Sequence, residues 1–356
     1  ITQATAALGQ LKDPRFLARL SSEARARLDR LMPPLVAACA RQPDGAVALT
    51  RLAELVRAIA RRSVYLALLA DHGGALTRLV ELCAASPWIA QQITLSPILL
   101  DELLDGRVLA TPPGRAALVN LLDDAIDTAD PGDLDRVMDV LRNFKHQQVL
   151  RVAACDLMAD FPIAEVSNHL TWIAEVLVTK ALALAWADLV ARHGRPRVSD
   201  GARRSVGFGV IAYGKLGGLE LGYGSDLDLV FVHDRSGPTG MTDGAKPIAN
   251  DVFFTRLAQR LIHFITTRTP AGQCYEMDIR LRPSGASGLL VTSLEAFQEY
   301  QHGSAWAWEH QALQRARGVA GHPETLERFA AIQRGAAQPP RGGPAARRYR
   351  RHARAD

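Results

Sequence analysis

At roughly 100 to 200 residues per domain, a chain of 356 residues holds two or three domains and buries sizeable cores without disulfide staples, which excludes a small cross-linked scaffold. Hydrophobic residues make up 48% and charged residues 22%, an ordinary globular balance that excludes a fibrous, wholly disordered or membrane-spanning chain. Residues 333–356 hold seven arginines against one aspartate and so account for the formal +5, leaving the rest at −1; neither a nucleic-acid nor a membrane partner is expected of so neutral a body.

The chain opens at Ile1 inside a helical pattern, with no basic segment leading into an apolar one, as expected of a piece cut from a longer protein. Residues 1–107 read as a helical linker module. Leu52, Leu55, Val56 and Ile59 form one apolar stripe, and Leu66, Leu69, Leu76, Leu79, Val80 and Leu82 continue it across a break at Gly73-Gly74. Ser86-Pro87 and Ser96-Pro97 are helix starts, serine as cap and proline in the first turn. After a hinge at Thr111-Pro112-Pro113-Gly114, helices fill residues 108–195, with a break at Asp130-Pro131-Gly132. Val176 to Val190, interrupted by Lys180 and Asp188, reads as a buried soluble helix. Strands follow at Val206 to Tyr213, Leu227 to Val232 and Tyr275 to Leu281, with a helix over Val252 to Thr267, so residues 196–322 form the domain where chemistry is expected. A short helix from Pro323 to Ile332 then gives way to an arginine-rich tail without apolar periodicity, expected to be disordered and to mark a truncated or frame-shifted end. Cys39, Cys83, Cys155 and Cys274 form no C-x-x-C pair, which fits a reducing cytoplasm.

Two phosphate-binding patterns are excluded by their surroundings. Gly209 to Lys215 spells G-x-x-x-x-G-K, but Leu216 stands where a P-loop has a hydroxyl, and Val210 to Tyr213 prefer a strand; Gly207-x-Gly209-x-x-Ala212 has no preceding strand. A better constellation is Gly214-Lys215-Leu216-Gly217-Gly218 followed by Asp226-Leu227-Asp228 entering an apolar strand. Strand periodicity places both carboxylates on one face, with Leu227 and Leu229 in the core. Such a pair is either a solvated acidic face or a site for hard cations, of which magnesium is the natural occupant. The glycine turn lets backbone N–H groups approach phosphates, and Ser225 adds a hydroxyl beside the pair. In Tyr275 to Pro283, period two would put Glu276, Asp278, Arg280 and Arg282 on one face. That is either a surface charge ladder or a third carboxylate and two guanidiniums at a metal-triphosphate site; the arginines then compensate the phosphates or brace the carboxylates. One of Trp306 and Trp308 is expected in the core, His233 and Cys274 are expected to be structural, and Glu309 and His310 carry no assignment.

The glycine turn, Asp-x-Asp strand and third carboxylate resemble the polymerase-beta-type nucleotidyltransferases. More narrowly, AYGKLGGLELGYGSDLDLVFVHD (Ala212 to Asp234), YEMDIRLRPSGASGLLVTSLEAFQEYQ (Tyr275 to Gln301) and AWAWEHQALQRARGVAG (Ala305 to Gly321) resemble the bifunctional glutamine synthetase adenylyltransferase/adenylyl-removing family, and W-x-W-E-H-Q-A-L at Trp306 to Leu313 is similar to its C-terminal, adenylylating half. The helical stretch from Ser86 to Ala90 and from Leu99 to Leu104 resembles the segment that joins the two halves. The resemblance implies an α+β fold, an all-α module followed by a polymerase-beta-like domain with a small mixed sheet and flanking helices. It also implies ATP as substrate, Mg2+ held by Asp226, Asp228 and Asp278, and Gly214, Lys215, Gly217, Gly218 and Ser225 at the triphosphate. Glutamine synthetase would be the partner, with the signalling protein PII as a regulator. Phosphorolytic removal of AMP from the same target and transfer to another nucleotidyltransferase substrate use the same carboxylates, and both stay open here.

Overall fold

A computed structural model describes residues 2–106, 109, 111–129, 133–159, 161–198, 206–234 and 240–336, so the expected arginine-rich tail beyond 336 and the break at 130–132 lie outside the described residues. The chain is α+β: helices dominate, and a five-stranded mixed sheet follows them. The N-terminal helices include Ser22–Ala40, Gly45–Ile59, Ser63–Asp71, Gly73–Ala85 and Pro87–Leu95. Leu52, Leu55, Val56 and Ile59 are at most 1% exposed, so the sequence stripe is the buried face. Glycine does not break the pattern where expected: His72 separates the helices, and Gly73 begins the second one. Ser86 caps as anticipated, its Oγ accepting from the Ile89 N–H at 3.2 Å, whereas Ser96-Pro97 opens a tighter 3-10 turn, Pro97–Leu103, without a side-chain cap.

Helices Arg115–Asp127, Leu134–Met158 and Ile163–His193 lead into the sheet. The last runs 31 residues and keeps its charges paired, Lys180 with Asp123 at 2.6 Å and Asp188 with Arg192 at 2.8 Å. Among the described residues no helix is long and apolar enough to cross a membrane.

The strands are β1 (Phe208–Ala212), β2 (Leu227–His233), β3 (Met277–Asp278), β4 (Val291–Ser293) and β5 (Arg317–Gly321). Their order is β3-β2-β1-β5; β1 is antiparallel to β2 and β5, while β3 and β4 run parallel to β2, beside its first and last residues respectively. Both faces are covered, as alternating side chains require. Phe208, Val210, Leu227, Leu229 and Phe231 enter a cluster with the long helices and helix Asn250–Thr266, and Ile211, Val230 and Val232 enter another with Leu294, Phe297, Leu313 and Phe329. The C-terminal helix covering that second face runs Pro323–Ala336, past the expected stop at Ile332, because Gln333 donates to the carbonyls of Leu313 and Ala316 at 2.7 and 2.5 Å.

The expected strand Tyr275 to Leu281 is shortened to β3. The Asp278 carboxylate accepts the Arg280 backbone N–H at 2.8 Å, an Asx turn that diverts the chain from the ladder. Arg280 and Arg282 therefore do not share a pleated face with Glu276 and Asp278.

Candidate active site

The sheet brings the acidic residues together. Register pairs Leu227 with Met277 and Asp228 with Asp278 on parallel neighbours, so the last two side chains leave the same face side by side. Asp226 stands one residue before β2, and Asp226, Asp228 and Asp278 each offer a carboxylate oxygen within 4.8 Å of the others. Desolvation raises the Asp228 carboxyl above its ordinary value, with the charges of Asp226 and Asp278 adding to it against Arg280 and Lys215. Asp278 is held below the usual carboxylate range, chiefly by Arg280, whose Nε lies 2.9 Å and Nη2 2.5 Å from Oδ2. Arg280 thus braces the Asp278 carboxylate. Among the described residues Arg282 bonds to carbonyls, those of Ile279 at 2.6 Å, Ala286 at 3.1 Å and Gly288 at 3.3 Å, and so shapes the turn after β3 while its charge acts on Asp278 through space.

The glycine turn sits directly against this cluster. Gly214 has φ +54°, and a Cβ there would lie 2.1 Å from Asp228 Oδ2, so a side chain would strain the backbone and displace the carboxylate. A Cβ at Gly217 would meet the Arg315 carbonyl at 2.3 Å, and one at Gly218 the Arg315 guanidinium at 2.5 Å. Their N–H groups are spent inside the turn, Gly217 on Tyr213 O at 2.8 Å and Gly218 on Gly214 O at 3.1 Å. Close packing explains these two glycines, and the phosphate-facing N–H groups expected of them are already bonded. Lys215 is exposed and acts on Asp228 through space. Ser225 Oγ accepts from the Gly222 N–H at 3.0 Å, next in sequence to Asp226.

A paired Asp-x-Asp strand, a third aspartate in register beside it and a glycine turn with no room for Cβ all fall within residues 76–332, which match the profile of the glutamate-ammonia ligase adenylyltransferase family. The chain belongs to that family. It is 55% identical over 316 residues to the bifunctional glutamine synthetase adenylyltransferase/adenylyl-removing enzyme of Thioalkalivibrio sulfidiphilus, across 88% of this chain and 33% of that protein. The like-named protein of Pseudomonas putida is 52% identical over 309 residues, 87% of this chain and 32% of the other. That of Nitrosococcus oceani is 49% identical over 332 residues, 93% and 34%. The chain thus spans about a third of the length of the curated relatives it matches.

In this adenylyltransferase-family chain several site residues escaped the sequence reading. Arg317 on β5 donates to the carbonyls of Leu216 and Gly217 at 2.9 and 3.1 Å and also pairs with Glu175, which is 2% exposed and takes a second arginine, Arg115, at 2.9 Å. A lone carboxylate in the apolar run from Ile173 to Val178 was the available signal. Glu309 accepts from Tyr300 Oη at 2.9 Å and from the Trp306 N–H at 2.7 Å, fixing the start of helix Ala307–Gln314. Contrary to expectation neither tryptophan of that segment is in the core: Trp306 is 56% and Trp308 52% exposed, because the helix buries its Leu313 face. His233 and Cys274 are structural, the first stacked on Phe254 at 4.9 Å between ring centroids, the second fully buried.

Proposed function

We propose that this chain transfers AMP from ATP to a tyrosine hydroxyl of glutamine synthetase, with pyrophosphate as leaving group and Mg2+ as the working cation. The observation that carries the reading is the juxtaposition of Asp228 and Asp278 in register with Asp226 beside them; three carboxylates converging in a partly desolvated place are the hard-oxygen donor set a divalent cation needs. Held by these three side chains, Mg2+ would lower the pKa of the attacking phenol, ordinarily about 10, and neutralise the departing phosphates. The chain's own residues do the rest. Gly214 keeps the approach to Asp228 open, and Lys215 and Ser225 stand at the triphosphate. Asp278, clamped by Arg280 and held below the usual carboxylate range, stays ionised as a ligand and is a poor proton acceptor. The phenol gives up its proton to solvent, its oxygen bonds to the α-phosphorus, and the bond from the α-phosphorus to the bridging oxygen breaks so that pyrophosphate leaves with that oxygen.

The family names of the relatives supply the target protein, and the family resemblance adds PII as a regulator and a cytoplasmic setting. Incubation with ATP, Mg2+ and unmodified glutamine synthetase, read by intact mass, is expected to add the mass of AMP to the target. Asp226→Asn and Asp228→Asn should each lower the rate by about 10³-fold or more; full activity in both refutes the assignment. If the chain instead releases ADP from modified glutamine synthetase and phosphate, with no forward transfer, the direction is the reverse one.

A further inference from the structure

We propose that Tyr223 is a positioning residue for the acidic centre, mooring the loop that carries Asp226 onto Trp88 and Asp156, so that the N-terminal helices help set the geometry of the cation ligands. The inference rests on the cation reading of that centre. Asp228 and Asp278 are placed by sheet register, but the paired register begins at Leu227, so Asp226 depends on the preceding loop 219–226. At its start Leu219 and Glu220 bond back to Leu216 and Lys215 and Glu220 pairs with Arg315, but closer to Asp226 the loop has few anchors. Leu221 is buried, and Gly222 and Ser225 bond to one another in a local turn. Tyr223 stands between Gly222 and Gly224, the two most flexible backbone positions available. Its ring lies 5.2 Å from that of Trp88 with an interplanar angle of 44°, and its Oη donates to Asp156 Oδ2 at 2.8 Å. Trp88 is in the first turn of Pro87–Leu95 and Asp156 near the end of Leu134–Met158, so two separate helices grip one loop residue. Trp88 and Tyr223 each pack against both the N-terminal core and the sheet core, which puts the ring pair where the two meet. Burial and the neighbouring carboxylate push the phenol above its ordinary range, keeping it a donor; a phenol–carboxylate bond is the charge-assisted kind that fixes geometry.

Titration of the full chain with Mn2+, followed by water-proton relaxation, tests this without reference to turnover. Tyr223→Phe keeps the ring and loses the donor; it should bind Mn2+ about five-fold more weakly, the size of one hydrogen bond, while still unfolding in one cooperative transition with the helical content of the wild type. Trp88→Ala should weaken binding similarly, and amide exchange across 219–226 should quicken in both. Asp156→Asn, which keeps an acceptor, should retain most of the wild-type affinity. Wild-type affinity in Tyr223→Phe overturns the proposal whatever Trp88→Ala does, and so does a loss of affinity with amide exchange across 219–226 unchanged. Wild-type protein that binds no Mn2+ overturns the cation reading as well, whereas unaltered variants beside a binding wild type overturn the mooring alone.

Discussion

At Gly214 and Asp228 the turn and the strand touch, and a single methyl decides whether they can. Gly214→Ala adds a Cβ that would lie 2.1 Å from the carboxylate at a φ of +54°, so AMP transfer and Mn2+ binding should both be lost while the helical content by circular dichroism is kept. Asp228 yields a prediction with a sign. Its folded-state pKa is raised, so ionising it on the folded chain costs stability as pH rises above the ordinary value of 3.8. In the absence of divalent cations Asp228→Asn should therefore raise the melting temperature at pH 7, and the gain should vanish well below pH 3.8, where both side chains are neutral. A variant that melts lower at pH 7 contradicts this account of desolvation and neighbouring like charges. Asp226 and Asp228 were legible as a pair in the sequence because strand periodicity and an adjoining glycine turn mark them, and the family resemblance added Asp278. The roles of Arg280 and Arg282 were not, because apparent alternation continued past Asp278 while the Asx turn had already ended the strand.

Between elements, the sheet is positioned by charges that the linear order hides. Arg317 on β5 ties the glycine turn to the long helix through Glu175, a buried carboxylate 142 positions earlier in the chain. Replacing Arg317 with alanine leaves the Leu216 and Gly217 carbonyls without this donor and Glu175 with Arg115 alone. The expected cost is about 2 kcal/mol by urea unfolding, together with a higher KM for ATP; an unchanged KM would confine Arg317 to a structural role. Gln333 does comparable work on the other face, where it bonds the last carbonyls of helix Ala307–Gln314 and the adjoining turn. Gln333→Ala should cost about 1 kcal/mol, measured in the same way, and a neutral result would show the bond is not needed. The helices themselves were readable from apolar spacing and capping serines. The two-residue β3 was not, since a strand this short is defined by its partner and not by its own pattern.

On the scale of the molecule, helix Leu134–Met158 belongs to two cores at once: Val149 and Val152 enter the sheet cluster, and Leu150, Ala153 and Ala154 enter the N-terminal one. Unfolding should accordingly be a single transition, with tryptophan fluorescence and far-ultraviolet circular dichroism coincident in urea. Two resolved transitions would show that the cores melt independently. Composition, period and motif by themselves determined the order of helices before strands, the near-neutral body, the buried stripes and the pairing of Asp226 with Asp228, because each depends on neighbours a few positions apart, and the family resemblance added Asp278. Only the tertiary structure decided that Asp278 lies in register with Asp228, that Arg280 clamps it, that Glu175 and Arg317 meet and that Tyr223 rests on Trp88. Those contacts join residues 50 to 142 positions apart, apart from the Arg280 turn, and a linear pattern carries no distance across such gaps until the cores have closed.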